Sequence, residues 1–396
     1  MDKNILRELA KTYKELANMP KMQERTTRAR DINELKPNKP IVWLHEIPWH
    51  EMNIDNKLNC ICESEEARYI EWHFRSTFFR HEYFEADMVV EDVLYLPKSY
   101  SISSIGIEVQ EDQLSVDNKN HIVSHYYKDQ LDTIEKVQAL KDPIVTAYPD
   151  ADNKNIEWLQ EQIGDIIDIK PRGHYIYHAP WDNIPRFRGV TPIMIDLIEN
   201  TNLIHATIKK FTDHGLSLIK QMKKLNLLGG NIPDVHCTPA YTLKNGTWFR
   251  AMAQMFTEIS PQMFKEFELD YLMPLAAECD LTYYGCCEAL DKKIELLKSI
   301  PNLRKIGVSP KADPESCAEQ IGTNYVYAHK PNPAFVAGDF NKQTVKNEIT
   351  RIIKTCRANN CAYEFVLKDV STVSYKPKNL FDWTNTVMET IAEWYS

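Results

Sequence analysis

The feature that most constrains this chain is an alternation of short apolar runs with amphipathic stretches, which starts near residue 34 and continues to the C-terminus. Apolar runs of about four to eight residues read as buried strands, and longer segments with apolar residues three and four apart read as helices. Strands are expected at 41–44, 88–95, 174–178, 232–239, 281–286, 304–308, 325–329 and 364–369. Helices are expected at 65–83, 156–169, 191–201, 205–225, 261–278, 312–322 and 342–358. Ser260 is placed to cap the helix that Pro261 opens. A turn at Gly229-Gly230-Asn231 leads into the fourth strand, which prolines 233 and 239 make irregular. Strands alternating with helices specify a parallel sheet, and eight of them close a (β/α)8 barrel. The expected fold class is therefore α/β, a TIM barrel over residues 38–396. A helical extension, 1–37, precedes it, and an insertion at about 100–150 is expected to cover its mouth.

Composition narrows the function classes. Across 396 residues, 47 Lys+Arg stand against 56 Asp+Glu, a formal charge of −9. No basic cluster suits a nucleic-acid backbone. No apolar run reaches the ~18 residues of a membrane span. The charged N-terminal stretch lacks the apolar centre of a signal peptide, so a cytoplasmic protein is expected. The 12 glycines are scattered, which argues against a flexible hinge. Nine cysteines, an odd number without paired CxxC spacing, are expected as reduced thiols; a metal site would have to be assembled from distant parts of the chain.

In such a barrel the chemistry sits where strands end. The expected strand ends are unusually polar: His45-Glu46, Asp92, His174 and His178, His236-Cys237, Cys286-Cys287-Glu288, His329-Lys330 and Asp369. Any one of these has an ordinary explanation, but their joint occurrence points to a catalytic rim. If 281–288 stays extended, Tyr284, Cys286 and Glu288 share a face. Cys286 and Glu288 can then serve one Zn²⁺ together with His236 from a neighbouring strand; equally, adjacent cysteines at a strand end can be small buried residues. Lys330, before the stop Pro331-Asn332-Pro333, puts an ammonium at the mouth.

Several of these segments resemble the uroporphyrinogen decarboxylase superfamily. They are Ser260-Pro261-Gln262-Met263-Phe264-Lys265-Glu266-Phe267 leading to Tyr271 and a strand ending in Cys286, Lys39-Pro40-Ile41-Val42-Trp43, and Val90-Glu91-Asp92-Val93-Leu94. The resemblance covers most of 38–395 and implies the barrel already counted. True decarboxylases of that family carry an arginine-rich stretch after the first strand. Here it reads Leu44-His45-Glu46-Ile47-Pro48-Trp49-His50-Glu51, whose acids would repel a many-carboxylate porphyrinogen.

The similarity is therefore greater to the corrinoid-dependent methyltransferase branch, of the O-demethylase kind. It implies zinc, a cobalamin-carrying partner protein, a small methoxylated donor and a homodimer. The branch's His-x-Cys zinc motif falls on Tyr284, Gly285 and Cys286, so only the thiolate carries over, and its later cysteine falls close to Asp369. The expected roles are Asp92, Tyr284, Lys330 and Asp369 in catalysis and His236, Cys286 and Glu288 on the metal. His45, Glu46, Trp49, His178 and Trp181 are expected around the substrate, the tryptophans caging an aromatic ring. Two other readings stay open. One is a cofactor-free decarboxylase or lyase that uses Asp92 and Lys330 on a small acid. The other is a barrel that binds a corrinoid or tetrapyrrole without turnover.

Overall fold

The computed structural model describes residues 1–115, 123–230, 232–242 and 246–395; Asn231 of the expected turn and part of the 100–150 insertion lie outside them. Its central sheet has seven parallel strands: β1 Ile41–Leu44, β2 Ile176–Tyr177, β3 Trp248–Ala251, β4 Leu281–Tyr284, β5 Leu303–Val308, β6 Val326–His329 and β7 Ala362–Leu367. The spatial order is β1-β7-β6-β5-β4-β3-β2. From β2 to β7 each strand lies beside its neighbour in sequence, and β1 pairs with β7 in register Ile41 to Glu364. The outer edge of β1 takes one bridge, Trp43 to Asp87, and among the described residues no ladder joins that segment to β2. The sheet is thus curled and parallel, TIM-like in topology, with a seam between Asp87 and Ile176.

Two of the eight expected strands are absent from this sheet. After Asp87 the chain leaves it, and Val93–Pro97 pairs instead with Asp168–Arg172. The departure point is pinned from the N-terminal extension. The buried Asp87 carboxylate accepts from Arg28 Nη2 at 2.6 Å, Arg28 Nη1 at 3.0 Å and the Val42 N–H at 2.9 Å. The segment 232–239 folds as a small antiparallel hairpin, Asp234–Val235 with Thr238–Pro239. Its prolines withhold ladder donors, and left-handed His236 (φ 36°) and Cys237 (φ 79°) turn it back. Its place in the wall is taken by Trp248–Ala251, which Arg250 disguises in an otherwise apolar run.

Period-two alternation gives the sheet two unlike faces. Phe249, Tyr284, Ile306, Tyr327 and Phe365 point outward into the main core shared with the helices. On the inner face Trp248, Tyr283 and Ala328 pack on Ile232, Val235 and Ala240 of the hairpin, while Trp43 and Val366 pack on Cys237. The hairpin therefore fills the curl instead of walling it.

The helices follow local signals. Ser64, Asp313 and Asn341 each accept from the N–H three residues on, opening helices Glu65–Tyr83, Pro314–Ile321 and Lys342–Ala358, each cap contributing about 1 kcal/mol. Ser260 caps likewise, accepting from the Met263 N–H at 3.2 Å. The helix it opens widens into a π turn at Lys265–Leu269 before continuing as Asp270–Ala276.

The helix expected at 156–169 forms as Pro149–Ile163, because Pro149 can open it and Gly164 closes it. Helices Asp2–Ala17 and Pro20–Asn33 make up the N-terminal extension. The first of them shares a second, separate core with Glu65–Tyr83 and Pro149–Ile163. The described part of the insertion flanks helix Thr201–Lys224 through Val145 N–H to Gln221 Oε1 and Gln221 Nε2 to Pro143 O. No described helix is long and apolar enough to cross a membrane.

Candidate active site

The C-terminal ends of β1, β4 and β7 meet the hairpin tip at one rim. The His45 N–H donates to Leu367 O at 2.9 Å, carrying the β1–β7 ladder one step past the strand ends. The chain then turns sharply at Glu46 (φ 55°) and at Asp369 (φ 58°), and the Asp369 N–H donates to Glu46 Oε2 at 2.7 Å. With His236 and Cys237, four non-glycine residues at this rim hold left-handed backbone. Such strain costs about 1–3 kcal/mol each and clusters at functional sites.

Side chains link these ends in a chain of contacts. Asp369 Oδ2 lies 3.1 Å from Cys287 Sγ and accepts, in a very short contact, from the Lys368 ammonium. Lys368 also donates to Cys287 Sγ at 3.5 Å. Cys287 Sγ lies 3.9 Å from Cys286 Sγ, and His236 helps to lower the Cys286 thiol pKa. The His236 ring lies 5.3 Å from that of Tyr177 and 6.2 Å from that of His45. Of the adjacent thiols, Cys286 carries the charge. The Cys287 hydrogen bond, then His236, Arg250 and Lys368, pull its pKa far down against burial, and the Cys287 thiol is pushed up in return. Burial lowers the pKa of His45 and raises the Cys237 thiol to about 12.

Ligand atoms of His45, Glu46 and Cys237 all lie within 4.8 Å of one another. A nitrogen, a carboxylate oxygen and a sulfur at that spacing could hold a zinc ion with a fourth position open. His45 Nδ1 is buried without a hydrogen-bond partner, which suits a metal-ligand nitrogen. Just below, on the inner face, lies Lys330, 2 % exposed. Its ammonium has no hydrogen-bond partner and stands 5.2 Å from the centre of the Tyr283 ring. Burial lowers its pKa to about 8, partly offset by Cys237 and Glu364. Arg250 covers the Tyr283 ring from 3.9 Å and donates to Gly285 O at 2.8 Å.

The rim thus gathers His45, Glu46, His236, Cys286 and Asp369, with Lys330 beneath; other expected residues lie elsewhere. Asp92 lines a shallow depression with Lys14, Asp165 and Asp168, because its segment left the sheet. Tyr284 faces the helical layer, donating to the buried Glu268 at 3.1 Å. The expected shared face of 284, 286 and 288 fails because Gly285 (φ 98°) breaks the pleat. A side chain there would strike Leu290 and the Gly307 backbone. Glu288 is accordingly not on the metal cluster. Its carboxylate accepts from the N–H groups of Cys286 at 2.8 Å and Ala253 at 3.2 Å, so it orients the thiol loop.

The expected substrate cage is also dispersed. Trp181 is fully buried and donates to Phe267 O at 2.8 Å. Trp49 packs edge-on to Trp72 and Phe79. His178, its pKa lowered to about 4 by burial, bonds Phe211 O at 3.0 Å. The rim residues missing from the expected roles are Cys237, Cys287, Arg250 and Lys368. Cys237 and Cys287 adjoin chosen positions in the sequence, and adjacency to polar strand ends was the available signal. For Arg250 there was none without its strand.

No family model matches this sequence, and no curated protein matches it. Among solved structures the chain is similar to a methyltransferase from Methanosarcina mazei. The match has a TM-score of 0.52 and 13% identity over 94% of this chain and 99% of that one. The likeness is one of fold, and it spans both the curled sheet and its helices.

Proposed function

We propose that this chain is a methyltransferase that moves a methyl group from a small methoxylated, aromatic donor to the Co(I) of a partner corrinoid protein docked over the rim. The convergence of His45, Glu46 and Cys237 beside the Cys286 thiolate carries the reading, and the fold neighbour supports it. His45, Glu46 and Cys237 would hold zinc, which when bound supplies Lewis acidity toward the leaving oxygen.

The chain's own residues do the rest. The electron pair of Co(I) forms the new cobalt–carbon bond while the carbon–oxygen bond breaks with its pair on oxygen. Lys330, with its ammonium near pKa 8 and unpaired, is the proton donor to that oxygen, yielding the alcohol or phenol. Cys287 first, then His236, Arg250 and Lys368, keep Cys286 anionic at the rim. Glu288 holds the backbone that presents it. The lyase alternative loses its observation, because Asp92 and Lys330 are not brought together.

The test mixes purified, zinc-assayed protein with a reduced corrinoid protein and a panel of methoxyaromatics. Methyl-Co(III) absorbance should replace that of Co(I), and should fail to appear with Cys237→Ser. No methyl-cobalt with any donor, or equal transfer by the zinc-free variant, sinks the reading.

A further inference from the structure

Away from the rim, a cleft of about 380 Å³ opens between the first turns of helix Glu65–Tyr83 and helix Pro149–Ile163. Its floor comes from the second core and its paired strands: Ile70, Leu96, Leu159 and Pro171. Two aromatic side chains, Tyr69 and Trp158, line it with Ile156, and Tyr69 is 65 % exposed. An apolar cleft of this size suits a small organic ligand.

Charge then selects which ligand. Glu65, Glu66 and Asp152 line the cleft, and among the described residues no Lys, Arg or His does. Asp152 is occupied by the Ser99 N–H at 2.9 Å and 3.1 Å. Glu65 and Glu66 have no ion-pair or hydrogen-bond partner among the described residues. First-turn acids ordinarily answer the helix dipole, and each helix N-terminus presents about half a positive charge. Two such ends leave three carboxylates with an excess of about two negative charges. Aromatic faces beside uncompensated carboxylates attract a cation that has an apolar body.

We propose that this cleft is a binding site for a small hydrophobic ammonium ion, separate from the reaction at the rim. The cation would rest against Tyr69 and Trp158 with Glu65 and Glu66 above it, and its hydrocarbon part would lie on Ile70 and Leu159. Its lining among the described residues holds no thiol, imidazole or amine, and the site serves for binding alone.

Benzyltrimethylammonium chloride, titrated into the full chain and followed by ligand-observed NMR, should bind saturably. It should bind about tenfold more tightly than its uncharged isostere neopentylbenzene, and the preference should shrink in high salt. The double variant Glu65→Gln/Glu66→Gln should weaken the cation about fivefold and leave the isostere unchanged. Tyr69→Ala, at an exposed position that the fold does not need, should weaken both. Equal affinity for the two probes, an unmoved affinity in the double variant, or no saturable binding at millimolar concentration would each overturn the proposal.

Discussion

Two lysines on the same inner face of the sheet, Lys305 on β5 and Lys330 one residue past β6, are both buried, yet they live in opposite circumstances. Lys305 Nζ donates to Thr238 Oγ1 at 2.7 Å, Glu364 at 2.8 Å and Pro239 O at 2.9 Å, filling its three donor positions. Lys330 makes none. The first sits low in the curl, where a polar group must be saturated to be tolerated. The second sits beneath a rim where Cys286 carries negative charge and a substrate would complete it. Polar groups inside this sheet are therefore structural where satisfied and functional where left wanting.

The largest expected effect tests the saturated member. Glu364→Leu leaves Lys305 buried without its counter-ion and should cost about 3–5 kcal/mol in urea unfolding. A loss below about 1 kcal/mol would mean the pair is not structural. At the rim, Cys237→Ser should weaken zinc at least about 100-fold in chelator competition, whereas Glu288→Gln should retain it. Zinc that survives the first change and vanishes with the second would move the ligand set back toward Cys286 and Glu288.

Lys330→Met should lower methyl transfer about 100-fold, within the range of a lost general acid, and should not lower stability. The pH dependence carries a definite sign. The folded-state pKa of Lys330, about 8, lies below the unfolded value of about 10.4. Between those values the unfolded chain binds the extra proton, so this group makes stability rise with pH through that window. The methionine variant should lose that rise, and the wild-type transfer rate should fall above about pH 8 as the acid deprotonates. The smallest effect belongs to Asp92→Asn, on an exposed carboxylate away from the rim. Stability should stay within about 0.5 kcal/mol and transfer should be unchanged; a collapse of activity would contradict the placement of Asp92.

Much of the scaffold was legible from local pattern. Strand 41–44 and helices 65–83 and 342–358 fall where periodicity and caps put them. The segment 232–239 illustrates the limit. Its prolines announced irregularity, but nothing local says that it would fold inside the curl and deliver His236 and Cys237 from within. Trp248–Ala251 was hidden by the opposite error, since Arg250 looks unlike a buried strand residue until Tyr283 and the Gly285 carbonyl are beside it. Tyr284 and Glu288 were misplaced because one positive φ at Gly285 reverses the alternation on which their orientation was argued.

What the chain determines by itself is the set of elements and the polarity of the strand ends, because hydrophobic period, caps and prolines act over a few residues. Which polar ends meet was decided only in three dimensions. His45-Glu46, Cys237, Cys286 and Asp369 are separated by scores to hundreds of positions, and their distances depend on how seven strands curl around one hairpin. The shift of Lys330 arises from burial in the folded sheet, and the charge on Cys286, favoured first by its neighbour Cys287, also draws on His236, Arg250 and Lys368 from distant parts of the chain.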